Sequence, residues 1–256
     1  MAETPETPKG DRIAKVLARA GLCSRREAER WIEAGRVQVN GEKLKSPAFN
    51  VPPGASVVVD GKPLPTAQEP RLWRYHKPPG LLTTNSDPEG RPTIFERLPR
   101  EIPRVISVGR LDINSEGLLL LTNDGDLARK MELPDTGWKR QYRVRVHGTV
   151  RQHELDKLKK GVTVEGIHYA PIEATLEKQD AANAWLAVNL LEGKNREIRR
   201  VMDYLGLRVN RLIRIAYGPF HIGKLVRGQV MELPTKALRE NLGVSFGRGK
   251  GYQDEQ

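Results

Sequence analysis

The chain has 256 residues, with 43 lysines and arginines against 32 aspartates and glutamates, a formal net charge of +11 and a sequence pI near 9.8. That length suits one large domain or two smaller ones. So basic a balance points to a polyanionic partner, nucleic acid ahead of an anionic membrane surface. No apolar run reaches the length of a membrane span, and the single cysteine, Cys23, excludes an internal disulfide and suits a reducing cytosol.

In chain order, residues 1–10 are polar, carry Pro5 and Pro8, and read as a mobile tail rather than a signal peptide or anchor. Ile13, Val16, Leu17 and Ala20 recur at helical spacing, with Arg12, Lys15 and Arg19 largely on other sides and Gly21 as the stop. Ser24-Arg25-Arg26-Glu27 has the form of a capping box. It opens a second helix to about Ala34, with Ala28, Trp31 and Ile32 inward and Arg25, Arg26 and Arg30 as a candidate phosphate-facing group. Val37–Val39 followed by Asn40-Gly41, and Val57–Val59 followed by Asp60-Gly61, read as hairpins. This basic module reads either as a nucleic-acid dock or as a solvated charged face. Arginines at a helix N-terminus are disfavoured by the macrodipole unless an anion joins them there, which favours the dock. Cys23 reads as a small buried filler or a reactive thiol.

Pro63, Pro65 and Pro70 mark a linker. Leu72–His76 alternates as a strand before a rigid turn, Lys77-Pro78-Pro79-Gly80. Asp112 sits in a glycine-bounded loop, Gly109–Gly117, ahead of the apolar run Leu118–Leu121, which has the length of a buried strand and ends in the turn signal Asn123-Asp124-Gly125. A loop carboxylate on a rigid strand is either a held catalytic group or a turn cap. Further elements are a helix near Leu127–Met131, a strand at Tyr142–Val146, a helix from about Gln152 to Lys160 closed by Gly161, and a strand at Trp185–Leu190. A last helix opens near Lys194 with Asn195 as N-cap. Ile198, Val201, Met202 and Leu205 form its core face, and Arg196, Arg199, Arg200 and Asp203 another. The anion expected at its arginine-rich start is a carboxylate such as Asp112 or a nucleic-acid phosphate. The tail from Gly247 is glycine-rich and polar.

The five histidines are scattered without metal-ligand spacing, and no glycine-rich phosphate loop of the dinucleotide or NTP type occurs. No metal and no cofactor is therefore expected, and the chemistry falls to side chains.

The stretch Gly109–Gly125, with Lys77–Gly80, Lys139-Arg140-Gln141-Tyr142 and Gly193–Arg200, resembles the motifs of the ribosomal RNA pseudouridine synthases of the RsuA/RluB family, close to its large-subunit branch. Residues from about Ile13 to Gly61 resemble the alpha-L RNA-binding module. The resemblance implies an α+β fold: an alpha-L module over 11–66, a linker over 67–71, and a catalytic domain over 72–246 on a mixed, mostly antiparallel sheet flanked by helices, between tails at 1–10 and 247–256. It implies that Asp112 acts as nucleophile or general base, that Tyr142 stacks on a flipped uracil, and that Arg199 pairs with Asp112. Arg110, Lys77, Arg196 and Arg200 would lie near the RNA backbone. The implied partner is ribosomal RNA, 23S rRNA first and 16S rRNA second, met by a cytoplasmic monomer with no membrane contact. Of the rivals, a non-catalytic RNA-binding protein leaves the chain after Pro70 unexplained. A methyltransferase or a tRNA synthetase would need cofactor or ATP signatures that the sequence lacks.

Overall fold

The computed structural model of the protein describes residues 10–133 and 136–242. Of the tails expected at 1–10 and 247–256, residues 1–9 and 247–256 lie outside the described residues.

Two short helices, Ile13–Arg19 and Arg25–Glu33, pack on a four-stranded sheet ordered Glu42–Lys43, Val37–Val39, Val57–Val59, Lys62–Pro63. The apolar positions expected to turn inward do so: Ile13, Leu17, Ala28 and Ile32 share one core with Val37, Val39, Val57 and Val59. Ser24 Oγ accepts the Glu27 N–H at 3.1 Å, which starts the second helix at its expected cap. Both hairpins turn through paired positive φ angles, 50° and 85° at Asn40-Gly41 and 49° and 76° at Asp60-Gly61, the geometry that Asn-Gly and Asp-Gly supply at low cost. Cys23 is buried in this core, and burial pushes its thiol up to about 11. It is a filler, not a reactive group.

The second, larger unit is a nine-stranded sheet. Its main path runs Glu173–Asp180, Asn183–Leu190, Arg140–His147, Arg208–Tyr217, Glu116–Thr122, Leu72–Lys77, Val230–Glu232. Every strand pairing in it is antiparallel except that of Arg208–Tyr217 with Glu116–Thr122, which joins the two halves through only two residue pairs, Ile213 to Glu116 and Arg214 to Gly117. Gly117 has φ +105°, and a Cβ there would lie 2.3 Å from the Arg214 carbonyl oxygen, so only glycine lets the halves close. Beyond the seam the strands part, and Arg214 Nε donates to the Leu118 carbonyl at 2.7 Å, supplying the bond that the ladder no longer provides.

The run Leu118–Leu121 is fully buried because both faces of its strand are covered. Leu118 and Leu120 pack with Leu127 and Met131 of the helix Gly125–Glu132. Leu119 and Leu121 pack with Ile94, Val105 and Leu111 of the preceding segment. At about 1.5–3 kcal/mol for each buried leucine, this strand is a stiff post for the loop before it. In the other half, the helices Gln152–Lys157 and Glu197–Tyr204 cover the face bearing Tyr142, Val144 and Val146. The small unit meets the large one at the start of the helix Gly125–Glu132, where Lys15 and Arg19 both pair with Asp126.

One expectation changes. The helix expected to be capped by Asn195 begins at Glu197, with Arg196 as N-cap in the left-handed region (φ 52°, ψ 30°) and no side-chain cap bond. Lys15 and Arg19 pair with Asp11 and Asp126, so protein carboxylates compensate part of the basic module's charge.

Candidate active site

The loop 109–115 leads into the buried strand and is held from three sides. Gly109 N–H donates to Glu132 Oε1 at 2.6 Å, Thr83 Oγ1 donates to the Leu111 carbonyl at 2.9 Å, and Gly80 N–H donates to the Ile113 carbonyl at 2.7 Å. Ser115 N–H closes a turn on the Asp112 carbonyl at 2.9 Å. Beneath the loop lies Lys77, at the end of the strand Leu72–Lys77 and fully buried. Its Nζ donates to the carbonyls of Pro78, Asp112, Ile113 and Ser115 at 3.1, 3.2, 3.4 and 2.9 Å. Burial pulls this ammonium down to about 8, against the attraction of Asp112 and Glu116. It stays mostly charged at neutral pH, when its three hydrogens are shared among the four carbonyls.

The Asp112 carboxylate stands above this clamp with its side chain 34% exposed. Arg196 Nη1 lies 3.8 Å from Asp112 Oδ2. Arg199, half-buried one turn into the helix, donates from Nη1 to the Val209 carbonyl at 3.2 Å and from Nη2 to the Asn114 carbonyl at 3.0 Å. Burial lowers the Arg199 guanidinium from its ordinary value, its like-charged neighbour Arg196 adds to this, and Asp112 opposes it. Tyr142 lies on the strand Arg140–His147, opposite Arg214, with its side chain almost wholly in the core shared with Ile198 and Met202.

The structure thus gathers Lys77, Arg196 and Arg199 around the Asp112 loop, with two differences from their expected roles. The ion pair to Asp112 is made by Arg196, while Arg199 holds the backbone of the same loop and acts on Asp112 only through its charge at longer range. The reason is the late start of the helix, which places Arg196 at the turn and tips Arg199 toward Asn114. Lys77 cannot lie on an RNA backbone, because it is sealed under the loop. Of the other RNA-facing candidates, Arg110, Arg25, Arg26 and Arg30 are exposed, and Arg200 is half-buried 3.8 Å from Glu165. Arg25 is among the cations holding Asp126 ionised, so that carboxylate meets part of the charge at the start of its helix.

Glu116 has no counterpart among the expected residues. Only 3% exposed, it accepts from Arg211 and pairs with Arg227 at 2.8 Å, tying the start of the buried strand to two other segments. Burial alone would raise this carboxyl, yet the two guanidiniums hold it below the usual range. The signal in the sequence is a single carboxylate heading an otherwise apolar strand.

The fold and the loop-borne aspartate between a buried lysine and two arginines define a protein built to hold one carboxylate in a fixed place. Residues 71–204 match the family model described as RNA pseudouridylate synthase, and residues 11–63 match the S4 domain. An RNA pseudouridine synthase of Rickettsia prowazekii (strain Madrid E) is 48% identical over 235 residues, covering 92% of this chain and 99% of the relative. The ribosomal large subunit pseudouridine synthase B of Escherichia coli (strain K12) is 43% identical over 240 residues, covering 90% and 82%. A solved pseudouridylate synthase structure superposes with a TM-score of 0.63 at 25% identity, over 91% of this chain and 100% of that one. The chain belongs to the RNA pseudouridine synthase family, with an S4 domain at its N-terminal end. Among the described residues no helix is long and apolar enough to cross a membrane.

Proposed function

We propose that the chain converts a specific uridine of large-subunit ribosomal RNA to pseudouridine, with Asp112 as the reacting carboxylate. In this isomerisation the N1–C1′ glycosidic bond breaks, the uracil turns, and a C5–C1′ bond forms. The proton leaving C5 is balanced by one gained at N1, so no oxidant, reductant or energy source is consumed. Asp112 serves as nucleophile or general base, Arg196 and Arg199 set positive charge beside it, and Tyr142 stacks against the uracil and assists proton removal at C5. Taking the base out of its stack costs a few kcal/mol. Aromatic stacking and phosphate contacts from Arg110, Arg196, Arg200 and the helix-borne Arg25, Arg26 and Arg30 offset that cost.

The observation that carries the reading is the half-exposed Asp112 on a loop whose backbone is fixed by Lys77 and Arg199. A turn cap needs no such anchorage. The large-subunit target rests on the relatives that carry that name. In this reading residues 11–66 dock the RNA, residues 72–246 do the chemistry, and the chain works as a cytoplasmic monomer. The test maps pseudouridine in ribosomal RNA from cells lacking the protein, complemented with wild type or Asp112→Asn. One 23S position should vanish and return with wild type alone. Its return with Asp112→Asn would sink the catalytic assignment, and loss of a 16S position instead would overturn the target.

A further inference from the structure

The turn that delivers Arg196 to Asp112 contains two carboxyl groups where the surrounding charge would favour cations. Glu197, the first residue of its helix, is 3% exposed. Its Oε2 accepts the Lys194 N–H at 2.9 Å, and its own N–H donates to the Lys194 carbonyl at 3.3 Å, so the turn is closed from both ends by one residue. Its Oε1 is buried and receives no N–H from the protein. The neighbouring group is the carboxyl of Glu192, within hydrogen-bonding reach. Glu192 is satisfied in a different way: it accepts the Ala170 N–H at 2.8 Å and the Lys194 ammonium at 2.9 Å, and these hold it ionised although burial acts against them. Burial pushes the Glu197 carboxyl up to about 7, and the Glu192 charge adds to this while the Lys194 N–H and ammonium oppose it. Two adjacent carboxyls cannot both ionise cheaply. Around the pair lie Tyr169, whose ring is 5.7 Å under Lys194 Nζ, the His168 carbonyl, which accepts from that Nζ, and Arg140 of the neighbouring strand, which donates to the Leu191 carbonyl at 2.8 Å and packs beside Gly193.

We propose that Glu197 and Glu192 share one proton as a carboxyl–carboxylate latch that holds the 192–196 turn closed, making Glu197 a positioning residue for Arg196 and, through it, for Asp112. The strained backbone at Arg196 is the structural counterpart of the latch. A non-glycine residue in the left-handed region costs of order 1–3 kcal/mol and persists only where its surroundings hold it there. The bonds of Glu197 to Lys194 on the N-terminal side and the first helical turn on the other supply that constraint. When the shared proton leaves, two carboxylates face each other across the turn, the turn loosens, and Arg196 loses its aim. The latch rests on the reading of Asp112 as the reacting carboxylate.

The test follows pseudouridine formation on a 23S rRNA transcript from pH 6 to pH 9 with the full chain, alongside infrared difference spectra of the protein alone over the same range. Wild-type kcat should fall several-fold on the alkaline side while a protonated-carboxyl band disappears. Glu197→Gln keeps the acceptor for Lys194 and donates an amide hydrogen to Glu192, so it should remove the band and the fall that accompanies it, leaving only the later fall set by Lys77 near 8. Glu197→Ala should lower kcat at pH 7 by about fivefold, the size of an exposed ion pair near 1 kcal/mol, with little change in KM. The Glu197→Ala, Arg196→Gln double variant should be no slower than Arg196→Gln alone. An alkaline fall unchanged in Glu197→Gln, or multiplicative losses in the double variant, would overturn the latch. A fully active Asp112→Asn control would instead overturn the reading beneath it, and the infrared band reports the shared proton in either event.

Discussion

Lys77 and Arg196 both bring positive charge to the Asp112 loop, and they do so from opposite environments. Lys77 is fully buried and spends its hydrogens on backbone carbonyls, including those of Asp112 and Ser115. Arg196 is 48% exposed, meets the Asp112 carboxylate at 3.8 Å and is placed by a strained turn. A buried ammonium among carbonyls fixes where the backbone runs, whereas an exposed guanidinium beside a carboxylate supplies charge that can be shared with an incoming phosphate. Geometry therefore comes from below the loop, and adjustable electrostatics from above. Arg199 stands between these extremes, half-buried and bonded to the Asn114 and Val209 carbonyls.

The sharpest way to break the comparison is Lys77→Met. The fall of the Lys77 ammonium from 10.5 to about 8 corresponds to roughly 3 kcal/mol of burial cost for the charge. Removing that cost offsets much of the loss of the bonds, as it does for many buried ions replaced by apolar groups. Melting temperature should then shift by only a few degrees, about 3 °C or less, while kcat falls by about 100-fold because the loop is no longer pinned. Hydrogen exchange at Asp112 to Ser115 should accelerate. Full activity in a stably folded Lys77→Met would show that the loop needs no clamp.

Next in size is Arg199→Gln, which removes two charge-assisted bonds worth about 1.5–3 kcal/mol each. Part of that loss should appear as a 10- to 100-fold fall in kcat, since about 1.4 kcal/mol is tenfold. Arg196→Gln should cost no more than about fivefold at moderate salt, because exposed pairs are worth at most about 1 kcal/mol. Steady-state kinetics of both variants on the same RNA decide the order. The reverse order would place the positioning burden on the exposed arginine. The smallest effect on chemistry is expected from Arg25, Arg26 and Arg30 changed together to Gln. Their loss should weaken RNA binding and reduce the slope of log affinity against log salt by up to about 3, with kcat at saturating RNA unchanged. An unaltered slope measured by titration at several salt concentrations would remove these residues from the docking surface.

Much of the site was legible in the chain. The glycine-bounded loop ahead of Leu118–Leu121 marked Asp112, and the basic helix starting near Arg196 marked its electrostatic partners. The burial of Lys77 was not legible, since a lysine beside two prolines reads as a surface turn and lysine is almost never fully buried. Glu116 and Glu197 were missed for a related reason. Each heads an element whose apolar residues dominate the pattern, although Glu197 stands four residues before the buried Val201, on the core side of its helix. The resemblance gave the Asp112 ion pair to Arg199, whereas Arg196 makes it because the helix is capped one residue later than expected, a shift that local spacing does not reveal.

By itself the sequence determined the local pieces: the two Asx-Gly hairpins, the Ser24 cap, the doubly buried leucine strand and the loop that carries Asp112. These depend on backbone preferences and on the period of apolar residues, which act over a few neighbours. Tertiary structure decided which charges are buried and which arginine meets Asp112. Those outcomes depend on Gly117 letting the two halves of the sheet close at Arg214, and on the turn at Arg196 bringing its helix to the Asp112 loop. The cost of burying a charge is set by what surrounds it, and those surroundings are distant in the chain.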